Sequence, residues 1–169
     1  MPSSIAHALA ASVVGAPLAP ASATRRYWIA GMVCAVLPDV DAIGRPFGQG
    51  DLQFLGGHRA LTHGLFFALA LGTAGAWLLF RHSPANGSFK RVALYLVLAT
   101  ASHGFLDMFA SYGAGVAVLF PFSGTRYSAP WQPLRGFNEV WWIWLPAIAV
   151  IIGTRWLRRT RSGPSGAAA

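Results

Sequence analysis

Acidic side chains are scarce in this sequence: five Asp and Glu stand against thirteen Lys and Arg in 169 residues, and charged residues of both signs make up only 11%. Soluble domains carry about 25%. With 54% hydrophobic residues, the composition excludes an ordinary water-soluble domain and reads as a membrane protein. Cysteine occurs once, at Cys34, which excludes an internal disulfide and a cysteine-based zinc site. Within WIAGMVCAVL it reads as a small buried residue. No basic stripe alternates with polar residues, so nucleic acid is not an expected partner. The N-terminal MPSSIAHALAASVVGAPLAPASA has the apolar stretch and small residues of a signal peptide. It has no positive residues ahead of that stretch and carries His7 within it, so it is expected to stay in the mature protein.

What the chain has instead is long apolar runs. A bilayer core about 30 Å thick asks for roughly 20 apolar residues per helix. Stretches 61–80 and 92–110 meet that length, and 140–157 nearly does. The last is flanked by Trp141, Trp142 and Trp144 at one end and by Trp156, Arg158 and Arg159 at the other, as expected of an anchored span. Pro146 predicts a kink there. Stretches 5–18 and 27–37 are short for a crossing and are expected to be tilted, re-entrant or packed among the longer helices. The reading is an all-α, polytopic membrane helical bundle with about four to five membrane-embedded helices. It forms a single domain over 1–158, followed by a disordered, basic and then Gly/Ala/Ser-rich tail over 159–169.

If five segments cross, the basic residues sort by side. Arg25, Arg26, Arg81, Lys90, Arg91, Arg155, Arg158, Arg159 and Arg161 share one side, while Arg45, Arg59, Arg126 and Arg135 share the other with four of the acids. The positive-inside rule makes the first side cytoplasmic, C-terminus included, and turns loops 39–60 and 111–138 outward.

That assignment gathers polar residues it was not built on. Asp39 and Asp41 end the second segment at its outer end, His58 and His63 open the third, His103 and Asp107 lie in the outward half of the fourth, and His7 starts the first. LPDVD reads equally as a helix stop at Pro38 with an Asp capping the next turn of chain. HRALTH reads equally as an interfacial helix start with Thr62 or His58 on free backbone N–H groups. His58 and His63 are about 140° apart on a helix, so both reach one ion only if His58 belongs to the loop, which Gly56 and Gly57 permit. His103 and Asp107 stack at i, i+4 on one helix face, where they can share a metal or form a hydrogen-bonded pair. An unpaired Asp at the bilayer centre costs about 2.5–3.5 kcal/mol on insertion scales, so Asp107 needs a partner. Jointly these seven side chains suit one or two divalent cations, Zn²⁺ foremost, since imidazole supplies nitrogen and carboxylate compensating charge. Asp39 or Asp41 is a candidate general base. Arg59 is a candidate phosphate ligand or a headgroup anchor. Glu139, among the tryptophans of WQPLRGFNEVWWIW, is a reserve candidate.

The order of these motifs, His7 in SSIAHALAAS, LPDVD at 37–41, HRALTH at 58–63, SHGFLD at 102–107 and then Pro121–Phe122, resembles the bacterial inner-membrane metal-dependent hydrolases of the YdjM type over residues 1 to about 145. That family in turn is remotely similar to the all-α zinc-dependent phospholipase C and P1 nuclease group. The resemblance implies a multi-pass protein of the inner (plasma) membrane, a His/Asp metal site on the outer face, and hydrolysis of a phosphoester or lipid-linked substrate. The HxxxE element of those zinc enzymes is absent here, for no histidine follows Asp107. The alternative is a non-catalytic membrane protein whose His/Asp cluster is a structural metal site or a hydrogen-bonded core serving an envelope or stress-response partner.

Overall fold

The computed structural model describes residues 2–47 and 50–161, and among them the fold is helical, with two isolated bridge pairs and no strand. Five α-helices follow in order: α1 (Ser4–Gly15), α2 (Arg25–Val36), α3 (Leu65–Phe80), α4 (Phe89–Asp107) and α5 (Leu145–Arg161). Ser3 caps α1, its hydroxyl accepting from the Ala6 N–H, and Ser88 caps α4 in the same way on Arg91. Of the expected tail 159–169, residues 159–161 continue α5 and 162–169 lie outside the described residues.

The helices pack through small side chains. On α3, Ala68, Gly72 and Ala76 recur every fourth residue and are buried. A Cβ on Gly72 would stand 2.4 Å from the Val97 backbone nitrogen, so α3 and α4 approach backbone to backbone. Tyr95 of α4 lies against Gly15 and Gly31, filling the space their missing side chains leave between α1 and α2. Large apolar side chains point the other way: Leu69 and Leu78 on α3, Leu94 and Phe105 on α4, and Ile152 and Trp156 on α5 are exposed. His7, Asp41, His63, His103 and Asp107 are buried. This inversion of the soluble pattern suits a surface facing hydrocarbon.

The expected helical bundle is present, and of the four to five spans the structure supports one by length and composition. Only Gly136–Leu157, 22 residues, is both long and apolar enough to cross a membrane by itself among the described residues. At about 1.5 Å per residue, α1 and α2 extend about 18 Å each and α3 about 24 Å, short of a hydrocarbon core of about 30 Å. Pro146 stands just after a wide, π-helical turn at Val140–Trp144, and that turn opens the backbone at the carbonyls its ring would strike.

The two ends of the bundle differ. At one end the connections 16–24 and 81–88 are tied together: Ser22 Oγ donates to the Ala85 carbonyl at 2.6 Å, and Thr24 donates from both N–H and hydroxyl to Asn86 Oδ1. His82 lies in the second of these connections and is exposed. At the other end, the long excursions 37–64 and 108–139 fold over the helix termini and fasten to each other, with the Ala117 N–H on the Arg59 carbonyl and the Leu65 N–H on the Val118 carbonyl, both at 2.9 Å.

Candidate metal centre

Pro38 has no N–H to continue α2, and the chain tightens into a 3₁₀ turn over Leu37–Ala42. Three residues per turn put Asp39 and Asp41 about 120° apart, so they meet His63 from different sides. His58 lies in a turn, ahead of the short 3₁₀ segment Leu61–His63, which meets the condition for both histidines to reach one centre. Positive φ at Gly56, Gly57 and Arg59 coils this stretch inward. Glycine adopts that conformation freely. Arg59, at φ 64°, does so against preference and is held by its own N–H on Asp41 Oδ2 at 3.1 Å.

The structure brings all seven candidates to one end of the bundle, in three overlapping groups: His7, His103 and Asp107; Asp39, His63 and His103; Asp41, His58 and His63. At the middle, the Nε2 atoms of His63 and His103 face each other at 3.1 Å. Asp39 Oδ1 lies 3.3 Å from His103 Nε2 and 3.7 Å from His63 Nε2, and Asp107 Oδ2 lies 3.4 Å from His63 Nε2. The far side of each ring is already engaged. His103 Nδ1 is 2.6 Å from the Ala35 carbonyl, and His63 Nδ1 lies 3.3 Å from Asp41 Oδ2 and 3.0 Å from the Thr62 hydroxyl. Hydrogen bonding on the far side therefore places a proton on Nδ1 in both rings, and the two Nε2 atoms meet with either a shared proton or a cation between them.

Several buried atoms here have no hydrogen-bond partner: both ring nitrogens of His7, Asp39 Oδ1 and both oxygens of Asp107. His7 stacks on His103 with ring centres 3.7 Å apart, and its Nε2 lies 3.8 Å from Asp107 Oδ1. Arg59 Nε is 2.9 Å from Asp107 Oδ2, yet Asp107 still lacks a directed hydrogen bond, so the contact is one of charge. Buried polar atoms are rarely left unmatched, and a cluster of unmatched ligand atoms of the types that bind zinc fits a divalent cation.

Asp41 differs. Its carboxylate accepts from His58 Nδ1 at 2.7 Å, the Arg59 N–H and the Thr62 hydroxyl at 2.8 Å, with His63 Nδ1 beside it. Burial pushes its pKa up, but these donors outweigh burial and hold it well below the usual carboxylate range. Asp39 is lowered as well, burial again being outweighed by the imidazoles of His103 and His63 close beside it. Burial pushes the His63 imidazole down, while the carboxylates of Asp107, Asp39 and Asp41 around it prevail and raise its pKa to about 10.

Thr62 binds the Asp41 carboxylate, where the sequence suggested a cap on backbone N–H groups. Glu139 is used elsewhere, accepting at 2.6 Å from the Ser3 N–H at the start of α1. Phe122, part of the Pro–Phe motif, is 82% exposed, and Cys34 is buried in the apolar core beside Tyr95 and Ala99. Sequence reasoning gave no part to Ala35, whose carbonyl orients His103, nor to Gly104, where a Cβ would stand 2.3 Å from the His63 carbonyl oxygen. The one signal for Gly104 was its place directly after His103 on the motif.

The chain matches the YdjM inner membrane protein family over residues 1–167. It is 31% identical over 176 residues to the inner membrane protein YbcI of Escherichia coli strain K12, an alignment covering 94% of this chain and 99% of that protein. No solved structure matches it.

Proposed function

Since the chain belongs to the YdjM inner membrane protein family, we propose that it is a multi-pass inner-membrane hydrolase that uses a divalent cation, zinc foremost, to cleave a phosphoester or lipid-linked substrate. The observation that carries this reading is the approach of the His63 and His103 Nε2 atoms to 3.1 Å, beside the unmatched carboxylate oxygens of Asp39 and Asp107. Asp39, His63 and His103, whose ligand atoms converge as one group, would hold the ion, with Asp107 beside His63. His7, stacked behind His103, completes the set or opens a second site with Asp107. When bound, the cation supplies Lewis acidity toward a phosphoryl oxygen and makes water more acidic.

The chain's own residues supply the rest. Asp41 is a positioning residue: its oxygens are taken by His58, Arg59 and Thr62, and through His63 Nδ1 it fixes the ring that faces the centre. His58, backed by Asp41 and partly exposed, is placed to take a proton from the attacking water. As the water oxygen bonds to phosphorus and the P–O ester bond breaks, that proton returns to the leaving oxygen. Asp39 keeps 23% of its side chain exposed and borders an apolar groove of 530 Å³ lined by Met32, Val33, Val36 and Ile43. A hydrocarbon chain in that groove would bring its head to the ligands. The phosphoester itself rests on the resemblance to the zinc phospholipase C group.

The distribution of charge supports an orientation. Arg25 and Arg26 begin α2 near the connections remote from the site, and Arg155 lies beside Ser12, Ala16 and Trp28 at that same end. This favours a cytoplasmic C-terminus and a centre on the outer face. The near-complete burial of His7, His103 and Asp107 favours a second reading, a closed structural metal site.

Metal content of detergent-purified protein tests the proposal. Near-stoichiometric zinc or manganese in the wild type, lost in the double variant His103→Ala, Asp107→Ala, is the expected result; a metal-free wild type removes the hydrolase. Hydrolysis of a phosphodiester or phospholipid by loaded protein then separates catalysis from the structural reading, which predicts none.

A further inference from the structure

Beside the centre, with His58 and Arg59 in its wall, lies a cavity of 510 Å³ lined by Arg45, Arg59, Arg126, Asp51, His58 and Tyr112 among others. Three guanidinium groups in a chain with thirteen basic residues, most of which gather at the opposite end, are a concentration that needs a reason. Their partners differ. Arg45 forms a two-point pair with Asp51, Nε to Oδ1 at 2.5 Å and Nη2 to Oδ2 at 2.9 Å. Arg126 donates from Nη1 only to carbonyls, those of His58 at 3.1 Å and Gly115 at 3.2 Å, and no described carboxylate pairs with it. Arg59 is 3% exposed; its Nε pairs with Asp107 Oδ2 at 2.9 Å, its Nη1 donates to the Tyr112 carbonyl at 2.9 Å, and its buried Nη2 has no hydrogen-bond partner. The three arginines face two paired carboxylates, Asp51 on Arg45 and Asp107 on Arg59, which leaves the charge of Arg126 uncompensated, a formal +1.

A buried guanidinium with an unmatched N–H is costly unless a ligand meets it. The backbone is shaped to keep it there. Gly113, at φ 101°, passes so close that a Cβ would stand 2.5 Å from Arg59 Nη1, and Arg59 itself holds a positive φ. The planar fork of arginine matches phosphate oxygens better than any other side chain. His58, the proposed proton carrier, forms part of the same wall.

Resting on the hydrolase reading and naming its substrate more closely, we infer that this cavity is a phosphate-binding subsite, in which Arg126 and Arg59 hold the substrate's anionic group next to the metal centre and Arg45 supports the potential from the rim. Arg126 and Arg45 are then specificity-determining residues for an anionic substrate.

The test uses zinc-loaded, detergent-solubilised full chain and two probes, inorganic phosphate and dihexanoyl phosphatidic acid, titrated by calorimetry. Wild type is expected to bind both probes, and Arg126→Gln to weaken binding about tenfold, the loss of a charge-assisted contact. Arg45→Gln, at an exposed position where folding is not at stake, is expected to weaken binding by a smaller factor that shrinks further as salt is added. Zinc content should be unchanged in both. Tighter binding of the phosphatidic acid identifies a lipid head group as the source, and equal binding a free phosphate; either agrees with the subsite. Affinity unchanged in both variants, or no binding of either probe by the wild type, overturns it. The two proposals fail separately: a metal-free wild type that still binds phosphate through Arg126 removes the hydrolase and keeps the subsite, and a zinc-loaded protein indifferent to Arg126 does the reverse.

Discussion

Replacing Gly104 with alanine tests the centre without touching a ligand. Gly104 follows His103 on α4, and its absent Cβ is what lets the helix approach the His63 backbone: the added carbon would stand 2.3 Å from the His63 carbonyl oxygen and 3.5 Å from Val116 Cγ1. Real Cβ atoms essentially never approach closer than 3.0 Å, so the two backbones must separate by more than half an ångström, shared between α4 and the Leu61–His63 turn. Metal ligands tolerate errors of about 0.2 Å in distance. A shift of this size at either His63 or His103 therefore exceeds what the pair can absorb. Displaced supporting groups cost metal affinity about 10- to 100-fold, and that range is expected here. The fold should suffer less, because alanine's gain of about 0.5–1 kcal/mol in a helix offsets part of an overpacking cost of about 1–3 kcal/mol. The assay is zinc competition against a chelator in detergent, with thermal unfolding in parallel. Gly75→Ala serves as control, since its Cβ would meet Leu96 Cδ1 at 3.4 Å, and it should leave zinc affinity alone. If Gly104→Ala keeps wild-type zinc affinity within about twofold, the claim that His63 and His103 share an ion through this close approach is wrong.

Two further outcomes rest on the same geometry. The Tyr95 hydroxyl is buried without a hydrogen-bond partner, so Tyr95→Phe should leave stability unchanged or raise it by up to about 1 kcal/mol, as read by chemical unfolding in detergent; a loss of that size would mean the hydroxyl has a partner. In metal-free protein the His63 imidazolium, raised from 6.5 to about 10, stabilises the fold in full below pH 6.5, and that contribution is lost as pH climbs through about 10. The same proton must leave before Nε2 can bind a cation, so zinc affinity should move the opposite way, improving with pH over that interval. Parallel melting curves and zinc titrations from about pH 6 to 10 check both signs, and a melting temperature of metal-free protein that rises across this window refutes the assignment.

Composition pointed to a membrane protein and apolar spacing to its helices, because both are local properties, and the seven polar side chains singled out in the sequence do gather at one end of the bundle. His103 and Asp107 share a helix face by periodicity alone, and both are buried on the stripe that includes Tyr95 and Ala99. Crossing length was not legible in the same way: apolar runs of 61–80 and 92–110 look sufficient, but the Leu61–His63 turn and Gly64 set the start of α3 at Leu65 and shorten the rod. Nor could sequence separate the two aspartates of LPDVD. Which of them faces the imidazoles with an open oxygen depends on the 3₁₀ turn after Pro38 and on the Arg59 N–H and Thr62 hydroxyl, supplied from about twenty residues away. The same holds for Arg126, brought to the wall of the His58 cavity by a loop that pairs Val116 with Tyr127. Residue types state what chemistry is available, whereas hydrogen-bond saturation is a property of atoms converging from distant segments, and only the folded arrangement decides which ligand atoms remain open.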